Sequence, residues 1–506
     1  MTIRLHNTLT QKLEVFEPLV PGEVSLYLCG LTTYDLAHAG HARTNTTIDV
    51  LVRHLRARGL RVTYVRNVTD VDDKILNRAK ERAEDPLALS QRMSDIADAD
   101  LAAIGCQKPD HEPRVSTHIP EIIDLVTKLI DNGSAYVVPT AVGQDVYFSV
   151  RSFKPYGKLS RRNLDDLISG ARVDVGDVKR DPLDFALWKG CEESGWGWPS
   201  PWGKGRPGWH IECSAMATKY LTPHFDIHCG GMDLIFPHHE NEIAQSEAVH
   251  GPEFARFWLH GGFLNVDSEK MSKSLGNFVT IKDVLERNDS EAFRYFLLGT
   301  HYRGPLSFDV EKHEGGRVTF PGVDEAERRV DYLYATRALL VEAAGDAPAE
   351  IGNVLQGQAK IIEEASTKVL NALDKDLNAP VALSVIAELA KAANEVVVQV
   401  GKLKKDKAVQ DKARSLAKAA VLALDGCVKP LGLMQTHPKA YADRTQAQRL
   451  KIRGLDAKTI DDKVRQRGEA RQAKDFARAD ELRKELSALG IEVLDSGDAS
   501  SWRITV

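Results

Sequence analysis

A cysteine and two histidines lie close together near the start of the chain, where a short apolar run ends. Cys29 follows the apolar run at 24–28. His38 and His41 flank Gly40, just before a segment with helical periodicity. A strand, a glycine-containing loop and a helix start form a common phosphate site, because unpaired N–H groups at the helix start attract anions. Imidazoles placed there can stabilise charge that grows on a phosphoryl group, although two histidines around one glycine also occur in ordinary loops.

Two lysines three residues apart lie on a polar loop later in the chain. Lys270 and Lys273 belong to the run Lys-Met-Ser-Lys-Ser-Leu-Gly-Asn. Ammonium groups on such a loop can fold over a triphosphate and neutralise the leaving pyrophosphate. A solvated surface loop is the alternative reading of the same residues. Together with the two histidines, this loop indicates a site for a chain of phosphates.

A second group of residues has the types and spacing of metal ligands. Cys213 lies in the run Gly-Trp-His-Ile-Glu-Cys-Ser, and His238 and Glu242 are four residues apart after a proline. The four-residue spacing places His238 and Glu242 on one helix face, where both can reach one ion. Cys29 would complete a set of two sulfurs, one nitrogen and one carboxylate oxygen, all of which zinc accepts in tetrahedral geometry.

The spacing leaves other ligand sets open. His239 is as well placed as its neighbour His238, and Cys229 is a plausible alternative thiolate. A purely structural zinc site, or buried cysteines without any metal, would also account for these residues.

The complete motifs resemble a known family. His-Ala-Gly-His at 38–41 and Lys-Met-Ser-Lys-Ser at 270–274 resemble the two signatures of class I aminoacyl-tRNA synthetases. The runs at 208–214 and 236–242, with Cys29-Gly in the first loop, resemble the cysteinyl-tRNA synthetase family. The resemblance continues in Asp-Leu-Asn-Ala-Pro at 376–380 and near the C-terminus, so that it covers essentially the full length. Ala39 and Leu31 stand where Ile and Pro are commoner, which removes no ligand.

The resemblance implies an activity and its site residues. It implies ATP-dependent ligation of L-cysteine to tRNA-Cys through a cysteinyl-adenylate, with one zinc ion per chain and Mg²⁺ accompanying ATP. The implied zinc ligands are Cys29, Cys213, His238 and Glu242. The implied ATP-binding and catalytic residues are His38, His41, Lys270 and Lys273. The implied substrate-pocket residues are Thr32, Thr69, Trp209, His228 and Asp233.

Zinc would also account for selectivity. An apolar pocket separates amino acids of similar size poorly. Zinc prefers a soft thiolate to a hydroxyl and lowers the pKa of a coordinated thiol. We therefore expect rejection of serine without a separate editing domain.

The elements that must position these residues alternate along the N-terminal half. Apolar strands are predicted at 24–28, 61–67 and 225–228, with helical periodicity after each. This alternation indicates an α/β fold with a Rossmann-like parallel sheet covered by helices. The sequence between two such units loosens into a loop-rich insertion, and beyond residue 315 Ala, Leu, Lys and Glu at helical period predict an α-helical bundle followed by a small C-terminal domain.

These patterns and the resemblance predict six segments. They are the first half of the catalytic domain at 1–115, a connective insertion at 116–205, the second half at 206–260, a lysine-loop and stem-contact subdomain at 261–315, the helical bundle at 316–435 and an anticodon-binding domain at 444–506.

Composition limits the class of protein and its surroundings. The formal net charge of −5 gives no global attraction to nucleic acid, so RNA binding must come from a local patch. The C-terminal segment mixes many arginines and lysines with acidic residues, which by default indicates a solvated helix surface. With the resemblance, a basic face for the tRNA anticodon stem-loop becomes the alternative, in which arginines and Trp502 could contact phosphates and unstacked bases. Without an apolar run of about 18 residues or a signal-peptide pattern, we expect no membrane partner and a cytoplasmic location. We also expect a monomer.

Two other functions fit parts of the sequence. A cysteine ligase of mycothiol synthesis resembles the same catalytic half but couples cysteine to an amino-sugar, and it has no use for a C-terminal anticodon-binding segment. A non-catalytic, RNA-binding relative would tolerate loss of the histidines and lysines named above, and all four are present.

Overall fold

The computed structural model describes residues 2–163, 179–266, 269–270, 278–314, 318–403, 406–496 and 499–506. The strands, in chain order, are β1 (Arg4–Asn7), β2 (Lys12–Val15), β3 (Glu23–Thr32), β4 (Arg61–Thr69), β5 (Ala135–Thr140), β6 (Gly143–Phe148), β7 (Phe185–Gly190), β8 (Gly205–Pro207), β9 (Phe225–Gly231), β10 (Ala255–Gly261), β11 (Leu264–Val266), β12 (Glu269–Lys270), β13 (Leu306–Phe308), β14 (Glu311–Lys312), β15 (Val318–Thr319), β16 (Ile491–Ser496) and β17 (Ala499–Ile504).

The helices follow the same order. They are α1 (Ala39–Ala57), α2 (Asp73–Arg82), α3 (Pro86–Ala103), α4 (Ile119–Asp131), α5 (Trp209–Leu221), α6 (Glu240–His250), α7 (Ile281–Leu285), α8 (Ser290–Leu298), α9 (Pro321–Ala344), α10 (Gln356–Leu373), α11 (Ala379–Lys402), α12 (Lys407–Val428), α13 (Pro438–Arg453), α14 (Ala457–Gln472) and α15 (Phe476–Ala488).

A four-stranded parallel sheet forms the centre of the N-terminal half. Its strand order is β10-β9-β3-β4, and every neighbouring pair is parallel. The apolar runs predicted as strands lie within β3, β4 and β9, which confirms the predicted α/β class. Parallel strands covered on both faces are apolar throughout, and the inner residues of β3 and β9 are fully buried. The carboxyl ends of β3, β4 and β9 therefore meet at one edge of the sheet.

Helix α1 crosses from this edge along the sheet. Ile48, Leu51 and Leu55, the residues that predicted its periodicity, are buried against the core that contains Leu26 and Leu28 of β3. Each such side chain contributes roughly 1.5–3 kcal/mol through its removal from water. The helix begins at Ala39, well before the predicted periodic segment, because its first turn is polar and carries the site residues instead.

The insertion forms a separate antiparallel sheet of β5-β6-β7-β8 packed on α4. Two cations on β7 and β8 connect it to the catalytic domain, since Lys189 and Arg206 both pair with the carboxylate of Asp73 on α2. Strand β8 ends directly before the start of α5. The stretch 195–209 is rich in Trp, Gly and Pro, which predicts a loop, and it is irregular except for β8 until α5 begins.

A small sheet of β12-β11-β13 follows the central sheet. Strand β11 continues from β10 after two residues and pairs with β12, which contains the backbone of Lys270. Residues 271–277, which include Lys273, lie outside the described residues. The predicted lysine loop therefore starts on a strand that the edge of the central sheet positions.

Helices α9 to α12 form the predicted bundle around one apolar core. The turn between α10 and α11 reaches back to the catalytic domain. Asp374 lies 2.9 Å from His54 Nε2 and accepts from Arg58, both at the end of α1. Backbone bonds between this turn and Arg4 extend β1. The bundle is thus attached to the far end of the site helix.

The C-terminal part has more helix than the sequence predicted. A helix at 477–489 and a strand at 491–494 are predicted from the sequence and correspond to α15 and β16, but α13, α14 and β17 are additional. Both unpredicted helices are highly charged, so an apolar period did not reveal them. Residue 444, the predicted start of the C-terminal domain, lies inside α13, and the domain boundaries remain a prediction.

The arginines of this segment mostly have acidic partners. Arg449 is buried and pairs with Glu327 and Asp331 of α9, so it holds α13 on the bundle. Arg467 forms a two-bond ion pair with Asp495. Within the described residues, no helix is both long and apolar enough to cross a membrane.

Candidate active site

The two histidines of the first motif cap helix α1 reciprocally. His38 Nδ1 accepts from the backbone N–H of His41 at 3.3 Å, and His41 Nδ1 accepts from the backbone N–H of His38 at 3.2 Å. The rings stack with centroids 3.6 Å apart. Because Nδ1 of each neutral ring is an acceptor, the proton lies on Nε2. The capping thus prepares two Nε2–H donors at the positive end of a helix, as an anion site requires.

An irregularity in β3 positions the first cysteine. The pairing of β3 with β4 shifts between Leu28 and Leu31, so Cys29 and Gly30 lie in a bulge. Gly30 donates to Asn67 Oδ1 at 2.8 Å, and a Cβ on Gly30 would lie 1.5 Å from the Asn67 carbonyl oxygen. Only glycine fits here. Bulges re-aim side chains at sheet edges, and this one directs Cys29 toward α5 and α6.

Five side chains with metal-ligand chemistry converge behind this bulge. Cys29 Sγ lies 3.7 Å from Cys213 Sγ and 3.4 Å from Glu242 Oε1. His239 Nε2 is 3.3 Å from the same sulfur, and His238 Nε2 is 3.0 Å from Glu242 Oε1. Ligand atoms of Cys29, His238, His239 and Glu242 all lie within 4.8 Å of one another. The structure thus brings together the four predicted ligands and keeps His239 among the candidates.

The electrostatics of the cluster suit a cation. The S–H of Cys29 donates to Cys213 and lowers the pKa of that thiol, whereas burial raises the pKa of Cys29. Burial favours the neutral acid at Glu242, but His228 and His238 outweigh it and lower its pKa to about 2. A thiolate and a carboxylate side by side in a buried site need positive charge nearby. Sulfur, nitrogen and carboxylate donors in this arrangement fit zinc.

Further histidines orient the candidate ligands from behind. His210 Nδ1 lies 3.0 Å from His238 Nδ1, and His260 Nε2 lies 2.8 Å from His239 Nδ1. His228 Nε2 is 2.8 Å from Glu242 Oε2, and its ring stacks on Trp258. Partners of this kind fix the ring orientation and tautomer of metal-binding histidines. The predicted pocket residue His228 therefore supports Glu242 from a fully buried position.

One cavity of about 330 Å³ joins the cluster to the helix cap. Its wall contains Cys29, Cys213 and His238 at one end and His38, Gly40 and His41 at the other. Four of the predicted pocket residues also line it, namely Thr32, Thr69, Trp209 and Asp233. Thr32 and Thr69 are paired at the ends of β3 and β4, and the Trp209 ring lies 4.4 Å from that of His238.

Sequence reasoning missed several residues of this site. Asn67 holds the bulge, His210 and His260 support the ligand histidines, and Lys74 and the stretch 261–264 line the cavity. His210 lies inside the motif at 208–214, which was an available signal. The others are scattered along the chain, and only the parallel sheet brings them together.

Comparison with known families covers most of the chain. The family described as tRNA synthetases class I (C) catalytic domain matches residues 15–315. The DALR domain matches residues 368–435, and the cysteinyl-tRNA ligase anticodon binding domain matches residues 457–503.

Several cysteine–tRNA ligases match over nearly the whole of this chain. A cysteine–tRNA ligase of Anaeromyxobacter sp. (strain K) is 48% identical over 514 residues, with 100% of both chains covered. One of Geobacter metallireducens is 45% identical, again over 100% of both chains. The chloroplastic/mitochondrial cysteine–tRNA ligase of Arabidopsis thaliana is 44% identical, over 99% of this chain and 86% of the relative.

A solved structure shares the fold. Methionyl-tRNA synthetase of Mycobacterium tuberculosis, in complex with methionyl-adenylate, superimposes with a TM-score of 0.62 at 17% identity. The match covers 86% of this chain and 94% of that one. At this identity the likeness concerns the fold alone.

Proposed function

The chain belongs to the cysteine–tRNA ligase family of class I synthetases, and from that premise we propose how its residues perform the reaction. The enzyme ligates cysteine to tRNA-Cys at the expense of ATP. We propose that it selects cysteine at a zinc ion held by Cys29, Cys213, His238 and Glu242. The observation that carries this proposal is a cavity whose wall contains Cys29, Cys213 and His238 together with His38 and His41, while Glu242 contacts Cys29 and His238 behind that wall.

The chain's own residues divide the work between the two ends of the cavity. Bound zinc would supply a soft Lewis acid that favours a thiolate over a hydroxyl. Thr32, Thr69 and Asp233 supply polar groups around the amino-acid backbone in this proposal. The Nε2–H groups of His38 and His41 donate to the phosphates of ATP, which enters with Mg²⁺. Lys270 and Lys273 complete the charge stabilisation on the pyrophosphate side.

The reaction needs no protein nucleophile. The carboxylate of cysteine attacks the α-phosphate of ATP, which forms cysteinyl-adenylate and releases pyrophosphate. A ribose hydroxyl of the terminal tRNA adenosine then attacks the acyl carbon, and AMP leaves. Positioning and charge stabilisation account for the rate of the first step.

The other two functions weighed above lose support. An amino-sugar ligase does not require an anticodon-binding domain. Residues 457–503 of this chain match the family of such domains. A non-catalytic relative would tolerate loss of the two histidines and two lysines of the motifs, and all four are present in this chain.

The cysteines bear on the cellular compartment in which the enzyme works. All six cysteines are free, which suits the reducing cytoplasm. We propose that the enzyme works there as a monomer, and light scattering on the purified chain checks the oligomeric state.

Exchange of pyrophosphate into ATP tests the zinc proposal. We expect exchange with cysteine and at least about a hundredfold less with serine, because serine keeps its proton and binds zinc weakly. Cys213→Ser should lose most bound zinc, measured by atomic absorption, and lower exchange by about a hundredfold or more.

Cys191→Ser is the matched control. Cys191 is partly buried, and its sulfur lies 3.7 Å from the carbonyl oxygen of Trp196, in the insertion. The control should keep both zinc and exchange. Full zinc content and normal exchange in Cys213→Ser would disprove the assigned ligand set.

A further inference from the structure

Arg43 lies two residues after His41, in the first turns of α1, and is almost completely buried. We infer, on the basis of the ATP role proposed for His38 and His41, that Arg43 is a positioning residue. It fixes the histidine-bearing start of α1 against the link between β10 and β11, which lines the cavity beside the histidines, and against the loop before β13 that packs on this link.

The Arg43 guanidinium spans two separate loops through backbone carbonyl groups. Its Nη1 donates to Gly262 at 3.1 Å and to Phe263 at 2.6 Å, in the link between β10 and β11. Its Nη2 points into the loop before β13, toward the carbonyl oxygens of His301 (3.3 Å), Tyr302 (3.5 Å) and Gly304. A planar fork with fixed donor directions suits this arrangement, which a lysine ammonium group would not reproduce.

The choice of partners is unusual for a buried cation. Within the described residues no carboxylate neutralises Arg43, and burial lowers its pKa to about 10. A buried charge is costly unless its hydrogen bonds are well made. Simple stabilisation would be served better by an apolar side chain or an ion pair. Carbonyl groups of fixed loops instead define one position and direction for the helix start.

The two loops are in close contact at the point that Arg43 holds. A Cβ on Gly262 would lie 2.5 Å from the Gly304 carbonyl oxygen and 2.6 Å from that of Arg303. Asp376 holds the second loop from the bundle side, because it accepts from Tyr302 at 2.8 Å and from Arg303 at 2.7 Å. The helix start is therefore attached to a rigid frame.

This frame also belongs to the cavity. Residues 261–264 line it together with His38, Gly40 and His41. The same stretch continues into β11, which pairs with β12 and the backbone of Lys270. Arg43 thus connects the histidine side of the nucleotide site with the strand that leads to the lysine loop. A small displacement of either side would change the distance between donors that must act on one triphosphate.

Three full-length variants test the inference: Arg43→Lys, Arg43→Met and the control Arg56→Lys. Arg56 lies on the same helix, and its partly exposed head group pairs with Asp110 at 3.1 Å, away from the cavity. Each protein is assayed for zinc content, unfolding midpoint, active sites by stoichiometric adenylate formation, and exchange kinetics for ATP and cysteine.

We expect Arg43→Lys to keep its zinc, to unfold within about 3 °C of the native chain and to keep KM for cysteine within about twofold. Its kcat per active site should fall by about tenfold or more, because an interaction made mainly in the transition state is misplaced. Arg43→Met should lose more, and Arg56→Lys nothing.

The opposite pattern overturns the inference. Normal kcat per active site in Arg43→Lys, with or without lower stability, would show that Arg43 only holds the fold. His41→Asn separates this outcome from failure of the proposed ATP role. If His41→Asn loses exchange while Arg43→Lys does not, the positioning role is wrong. If His41→Asn keeps full exchange, the proposed role of the histidine is wrong, and with it the basis of the inference.

Discussion

Two adjacent histidines reach the candidate metal site from one short turn, and they are not equivalent. His238 lies 3.0 Å from Glu242 Oε1 through Nε2, and it helps to lower the pKa of Cys213 by hydrogen bonding. His239 approaches Cys29 from the other side, and its second nitrogen faces His260. Burial and the surrounding histidines lower the pKa of His239 well below its ordinary value, so it is neutral.

The difference between these histidines predicts different losses of zinc. In the proposed ligand set, His238→Asn removes a ligand, and zinc affinity should fall by more than about a hundredfold. His239→Asn removes a neighbour of the site, so affinity should change by about tenfold or less. Competition with a chromophoric chelator measures both affinities, and the reverse order would identify His239 as the ligand.

At the scale of elements, the loop between β3 and α1 separates the proposed zinc ligand Cys29 from the proposed ATP-binding residue His38. Cys29 lies near the end of β3, and His38 caps α1. Two backbone hydrogen bonds of 3.0 Å hold the end of this loop. The N–H of Ala39 donates to the carbonyl oxygen of Val279, and the N–H of Ile281 donates to that of Ala37. In the proposed mechanism, the loop is therefore a spacer of fixed length between the site of the cysteine thiol and the site of the ATP phosphates.

Lengthening this spacer should impair activation while all ligands stay present. A glycine inserted beside Leu36 should leave zinc content unchanged and lower pyrophosphate exchange by about tenfold or more, since misplacement of about 1 Å is costly in such reactions. A glycine inserted beside Gly352 is the matched control, because a Cβ at that position would have no heavy atom within 4 Å. Normal exchange kinetics after the first insertion would refute the spacer argument.

On the scale of the whole molecule, the C-terminal segment has two parts with different attachments. Helix α13 is fastened to the bundle, because Arg449 pairs with Glu327 and the Tyr441 ring stacks on Tyr334 at 3.9 Å. The following α14, α15 and hairpin have a small core of their own, around Ile460 and Leu486. A chain that ends after residue 454 keeps α13 in place and removes the matched anticodon-binding domain.

This truncation should separate the two steps of the reaction. Pyrophosphate exchange should stay within about twofold of the full chain, because the cavity is untouched. Charging of tRNA-Cys should lose about a hundredfold or more in kcat/KM, since part of the RNA-binding surface is gone. A chain that ends after residue 437 is a useful comparison, because it also uncovers Glu327 and should unfold more easily. Unchanged charging by the chain ending at 454 would show that the matched anticodon-binding domain is not needed for charging.

The sequence by itself determined the class of fold and indicated the ligand types of the candidate metal site. Cys29, Cys213, His238 and Glu242 occur in motifs that name the ligand types, and apolar runs such as 24–28 predict buried parallel strands. Periodic apolar residues also predicted the four bundle helices. These features are local, so neighbouring residues are enough to reveal them.

Only the tertiary structure decided how these parts meet. The carbonyl partners of Arg43 lie more than two hundred positions away, and no local pattern connects them. The charged helices α13 and α14 lack an apolar period, and ion pairs with distant acids hold α13. The position of His228 behind Glu242 likewise follows from the packing of β9 against α6. The sequence specifies which side chains are present, whereas the distances between those side chains depend on the long-range packing of the sheet.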